Sequence, residues 1–148
     1  METYSPVIIW FYIRLLLILS VIKLWYTWQV NFVLAYPHAP IEHNLHKNLP
    51  NGIETKKGNG KTHVLIFINN LYSQKQAGQV WNKYLTNEIL TIGFEQSAIA
   101  KCILYWVNII FAWYVSGGIF AGPCKSKIDQ VIKGIQATGL YTKDKGYI

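Results

Sequence analysis

Aspartate is nearly missing from this chain. Only Asp129 and Asp144 carry that side chain, both close to the C-terminal end, and 7 acidic residues stand against 14 lysines and arginines in 148 positions. Before residue 129 the acids are Glu2, Glu42, Glu54, Glu88 and Glu95 alone. A site built from several converging carboxylates therefore has few groups to draw on. Cysteine is equally sparse. Cys102 and Cys124 show no metal-ligand spacing and no secretory context, which excludes a disulfide framework and leaves two buried or idle thiols.

A hydrophobic run long enough to cross a bilayer is also missing. Val7–Ile22 is apolar over about 16 residues against the roughly 20 required, and Arg14 sits at its centre, where a charge costs roughly 2.5 to 3.5 kcal/mol. Glu2 precedes it instead of a basic region, and no small-residue cleavage site follows, so a signal peptide is not expected. A small protein anchored by Val7–Ile22 stays as an alternative reading. There is no internal repeat and no low-complexity segment. Gly60-Lys61-Thr62 imitates the end of a phosphate-binding loop, but the first glycine of that motif would fall at Thr55 and a strand follows. His38, His43 and His46 cluster beside Glu42 without a fourth ligand at suitable spacing, and are read as solvent-facing loop histidines, not a metal site.

What is abundant is apolar and aromatic surface: 51% hydrophobic and 15% aromatic residues, enough that part of it is expected to stay uncovered. The net charge of +7 suits a polyanion, and equally an anionic membrane surface, because the lysines are scattered. Tyr105–Pro123 is the densest stretch. Two β-forming runs, Val107–Val115 and Ile119–Phe120, flank a Ser116-Gly117-Gly118 corner and predict a β-hairpin. Lys23–Trp28 is expected to turn the chain and Gln29–Ala35 to form an interior strand, with another over His63–Ile68. Between them, Pro37–Gly60 is punctuated by proline and glycine and reads as loop. Ala77, Trp81, Leu85, Ile89 and Ile92 recur at helical spacing up to Gly93. Ser126 and Asp129 form a candidate capping box for a last helix with Ile128, Val131, Ile132 and Ile135 on its apolar face, stopped at Gly139.

Four motifs in order resemble copia-type (Ty1/copia) retrotransposon reverse transcriptases. Asn70–Asn82 is similar to that family's Leu-Tyr-Gly-x-Lys-Gln-Ala-x-Arg-x-Trp signature; Gln29–Pro37 resembles its first catalytic strand; Glu2–Val7 resembles the segment before the preceding helix; and the Tyr114-Val115-Ser116-Gly117 tip stands where the family has Tyr-x-Asp-Asp. The resemblance covers nearly all of the chain. It implies an α+β fold, part of the fingers and palm of a polymerase, with helices packed on an antiparallel sheet around a hairpin at Trp106–Phe120, residues 1–148 forming one truncated reverse-transcriptase domain. It implies that Val7–Ile22 is a buried helix entered through Ser5-Pro6.

The resemblance also sets the site. The family's metal-binding aspartates would fall at Asn31, Ser116 and Gly117, and a fourth acidic position at Ala100. Amide, hydroxyl and glycine cannot supply the anionic oxygens that Mg2+, the family's cofactor, demands, so no metal and no catalytic residue is retained. Glu42, Glu54, Glu88 and Glu95 are placed on loops or helices, away from the two strands. By resemblance Tyr36 would pack under an incoming sugar, and Lys75, Gln76 and Tyr114 would lie near nucleotide or template; Ser73 and Gln79 depart from the signature. The expected partners are template-primer nucleic acid or an intact polymerase subunit, with no small-molecule cofactor. The expected function is that of a catalytically inactive remnant, or of a binding module without catalysis.

Overall fold

The clearest helical stripe of the sequence, Ala77 to Ile89, is buried along its whole length in α3 (Ala77–Thr91). Gly93, at φ +102°, ends the helix in the left-handed conformation that glycine adopts without cost. The computed structural model describes residues 5–41, 45–50, 52–53, 63–72, 74–140 and 142–147. Residues 2–4 of the first motif, Glu42, His43, Glu54, Gly58–Thr62 and Ser73 lie outside the described residues, so the readings that fall on them have no structural counterpart.

In chain order the other elements are α1 (Trp10–Ile22), β1 (Tyr26–Phe32), α2 (Ala35–His38), β2 (His46–Asn48), β3 (Val64–Ile66), β4 (Glu95–Gln96), β5 (Ile103–Trp106), β6 (Ile109–Tyr114), β7 (Gly117–Gly122), α4 (Lys125–Ala137) and β8 (Thr142–Tyr147). Six strands form one sheet in the order β4-β5-β6-β7-β1-β8, every pairing antiparallel, and β2 and β3 pair separately. The α+β class is as expected. The first strand begins three residues before the anticipated Gln29 and ends at Phe32, so Tyr36 lies in the short α2 and not at a strand end. β1 is interior, as its apolar character required, held between β7 and β8.

The core lies between this sheet and the helices α3 and α4. Phe111 and Phe120 face each other across β6 and β7 with ring centroids 4.2 Å apart, and Phe32 joins Phe111 to the Trp81 indole of α3 through edge contacts at 6.5 and 5.7 Å. Ile128, Val131, Ile132 and Ile135 bury the apolar face of α4, and Gly139 at φ +91° follows it. The capping box is a correction: α4 starts at Lys125 with Cys124 at the N-cap, and no side chain caps it. Ser126 sits two residues inside the N-cap, and its hydroxyl meets Cys124 Sγ at 3.1 Å instead.

Three further readings are corrected. Val7–Ile22 is not a buried helix: α1 begins at Trp10, buries only Leu16 and Ser20, and leaves Trp10 71%, Ile18 56% and Val21 75% exposed along with Arg14. It has 13 residues, and no described helix is long and apolar enough to cross a membrane. Glu95 is on the edge strand β4, not on a loop or helix, where its carboxylate accepts a 2.9 Å hydrogen bond from the Tyr105 hydroxyl. Residues 142–147, beyond the last element that the sequence predicts, form β8 beside β1.

The entry segment is pinned to the far side of α3. Ser5 Oγ donates to the Gly78 carbonyl at 3.2 Å, and the Pro6 carbonyl accepts from Cys102 Sγ at 3.2 Å and Asn82 Nδ2 at 3.4 Å. Burial pushes the Cys102 thiol up to about 11, while hydrogen bonding to Ser126 holds the partly exposed Cys124 below its ordinary value.

Candidate functional site

Strand alternation decides where Asn31 goes. Val30 and Phe32 are buried on either side of it, so Asn31 points to the opposite face of β1, where it is half-buried. The antiparallel register places it directly across from Gly117 on β7, and a Cβ built on Gly117 would stand 3.8 Å from Asn31 Oδ1. Ser116 is held against the same strand end: its carbonyl accepts the Phe32 N–H at 2.6 Å. The three positions that sequence comparison singled out are therefore neighbours in space, although 85 or more residues separate Asn31 from the other two.

The hairpin that carries them differs in detail from the expectation. Its corner is Val115-Ser116, with Tyr114 paired to Gly117. Gly117 and Gly118 belong to β7. Val115 takes the turn's positive φ, +52°, which is the first-position sign pattern of the two-residue turns that suit twisted hairpins. A β-branched residue there costs about 1–3 kcal/mol, so the surroundings must hold it. They do: Trp81 Nε1 donates to the Val115 carbonyl at 2.7 Å, tying α3 to the tip. Val107, assigned to the first run, instead forms the same kind of corner with Asn108 between β5 and β6, again at φ +52°.

On the other side of β1 the register sets Lys143 of β8 against Asn31 and Asp144 against Val30. Lys143 is exposed, and directly opposed residues on antiparallel strands have Cβ atoms about 5 Å apart. A cation thus borders the position where a metal ligand was sought. This residue was missed because Thr-Lys-Asp-Lys-Gly-Tyr has no apolar alternation to announce a strand. Ala100 precedes β5, and its carbonyl receives the Ile103 N–H at 2.9 Å.

The remaining site residues fall into two groups. Tyr36 on α2 meets Tyr72 edge-on at 5.0 Å, and Asn70 locks the two segments together by donating from Nδ2 to the carbonyls of Ala39 at 3.0 Å and Pro40 at 3.1 Å. Asn70 is fully buried, opens the signature motif, and earned no role from sequence alone. Lys75 is exposed in the turn before α3, and Gln76 is the helix N-cap. Tyr114 is exposed beside the tip. Among the described residues no hydrogen bond or ring contact joins the Tyr36–Tyr72 pair or Lys75 to Asn31 or the tip.

Chemically, the tip offers an amide, a hydroxyl and a glycine beside an ammonium group. Among the described residues no three His, Cys, Asp or Glu side chains gather closely enough to hold a metal ion, and the histidine cluster of the sequence is represented only by His38 and His46. From Asn31, Ser116 and Gly117 Mg2+ would receive neutral oxygens alone, which does not fit its preference for carboxylates. The family model for reverse transcriptase (RNA-dependent DNA polymerase) matches residues 1–144. No curated protein and no solved structure matches the chain significantly.

Proposed function

The chain belongs to the reverse transcriptase (RNA-dependent DNA polymerase) family, in its copia type, and from that premise we propose that it is a catalytically inactive remnant of the fingers-and-palm region of such a polymerase. One observation carries the reading: Asn31, Ser116 and Gly117 converge at the end of β1 and the β6–β7 tip, and none of them is a carboxylate. Two-metal phosphoryl transfer needs anionic oxygens that hold two ions within about 4 Å and bridge the attacking and leaving oxygens.

Metal binding tests this directly. Electron paramagnetic titration of Mn2+ into the purified chain is expected to leave the ion free. The triple variant Asn31→Asp, Ser116→Asp, Gly117→Asp is expected to sequester it, because the Gly117 Cβ direction is open, with only ordinary contacts at 3.7 Å and beyond. Near-stoichiometric sequestration by the unaltered chain would overturn the proposal.

A second reading is favoured by Lys143. An ammonium, an amide and a hydroxyl at one strand end suit a phosphate oxygen better than a cation, so the remnant holds a nucleic-acid backbone without acting on it. Binding to a primer-template duplex should weaken steeply with salt, and Lys143→Glu should lower affinity and reduce the slope of log affinity against log salt by about one. Salt-independent binding, or none, would remove this reading while leaving the first intact.

A further inference from the structure

The face of α3 turned away from the hairpin lines a cleft of about 510 Å3. Asn82, Lys83, Thr86 and Asn87 recur along it at three- and four-residue spacing, half a turn from Trp81, whose indole reaches the tip. Gln96 and Lys101 close it from the β4–β5 side, where Gln96 Nε2 is fixed on the Lys101 carbonyl at 2.8 Å. Pro6 and Leu90 supply an apolar rim. Among the described residues the lining contains two ammonium groups, several side-chain amides and a hydroxyl, and no carboxylate.

Two of these side chains are set up in an unusual way. Asn82 is buried, with its Nδ2 on the Pro6 carbonyl at 3.4 Å. Thr86 is also buried, and its Oγ1 has no hydrogen-bond partner. A buried hydroxyl without a partner is costly, and threonine in a helix has two accessible χ1 wells, so a polar ligand group in the cleft that Thr86 lines would relieve that cost.

We propose that this cleft binds a small organic phosphate, with the phosphate between Lys83 and Lys101 and the Thr86 hydroxyl as an additional hydrogen-bonding group. Lysine serves phosphate as a point charge, whereas a planar carboxylate prefers the paired donors of arginine, and no arginine lines the cleft. The volume falls within the range of small-molecule sites and exceeds what an inorganic phosphate fills, leaving room for an organic part along Pro6 and Leu90. The site is separate from the tip and does not depend on the fate of the polymerase chemistry.

The test is a titration of the 15N-labelled full chain with pyrophosphate at constant ionic strength, followed by amide shifts, with citrate as the carboxylate comparison. Saturable shifts are expected at Lys83, Thr86, Gln96 and Lys101, with Asn31 and Ser116 unmoved. Lys83→Gln combined with Lys101→Gln should weaken binding at least about tenfold, as loss of charge-assisted bonds implies. Thr86→Val should weaken it too, and Thr86→Ser should restore it; the exposed lysines report even if Thr86→Val fails to fold. No saturable shift, shifts confined to the hairpin tip, equal binding of citrate, or unchanged binding by the double lysine variant would each overturn the proposal.

Discussion

Replacing Trp81 by Ala is expected to cost about 3–5 kcal/mol of folding stability, a large share of the roughly 5–15 kcal/mol that a domain has. The indole is 1% exposed, packs edge-on against Phe32, and links α3 to the hairpin tip through its hydrogen bond to the Val115 carbonyl. Its removal leaves a cavity between helix and sheet and frees the Val115 carbonyl, so the strained φ of Val115 loses its restraint. Trp81→Phe separates the two effects. It keeps most of the packing and loses only the 2.7 Å hydrogen bond, and should cost about 1 kcal/mol beyond the change in volume. Urea unfolding midpoints measure both. Equal midpoints for Trp81→Ala and the unaltered chain would mean that α3 does not pack on the sheet as described.

Gly118→Val should be comparably severe for the opposite reason. A Cβ at this position would lie 2.4 Å from Phe111 Cε2 and 2.7 Å from Cζ, in steric clash with the ring that stacks on Phe120. Overpacking of this sort typically costs about 1–3 kcal/mol, and more when the neighbour cannot move. Phe111 is fully buried, with Phe32 and Phe120 against it, so the upper end of that range or beyond is expected. Coupling to Phe111 is the diagnostic. In a cycle with Phe111→Leu, Gly118→Ala should be markedly less damaging than in the unaltered chain, because the shorter side chain vacates the space. Additive losses would contradict the stacking. Gly117→Ala is the contrast: with its nearest neighbour at 3.7 Å it should be tolerated.

This contrast also explains what the sequence could and could not convey. The Gly117-Gly118 pair looks like turn chemistry, and a glycine-rich corner was the natural expectation. The turn is made by Val115 and Ser116, while Gly118 is needed for the room that Phe111 occupies, a requirement that exists only once two strands are paired. The α3 and α4 stripes were legible because a 3.6-residue period survives in any context. Burial of α1 was not, because an apolar segment states that it is sticky without stating what covers it. β8 was invisible because its strand state comes from pairing with β1, not from its own residues. At the site, the motif order located Asn31, Ser116 and Gly117, but Lys143 and the anchoring role of Asn70 emerged only from register and hydrogen bonding.

The exposed apolar face of α1 bears on handling the protein. Trp10, Phe11, Ile18 and Val21 stand open beside one another on a short helix, the kind of patch that promotes self-association in an isolated chain.

The central claim is that a family member with an amide, a hydroxyl and a glycine at the converging positions performs no phosphoryl transfer. The most direct measurement is primer extension on an RNA template by the purified chain, with Mg2+ and separately with Mn2+, beside an active reverse transcriptase as control. No extended product in either metal, at enzyme concentrations equal to or above the template, is the predicted result. Extension that requires the divalent ion and disappears with chelator would contradict it, and would mean that the ions are held by groups other than residues 31, 116 and 117.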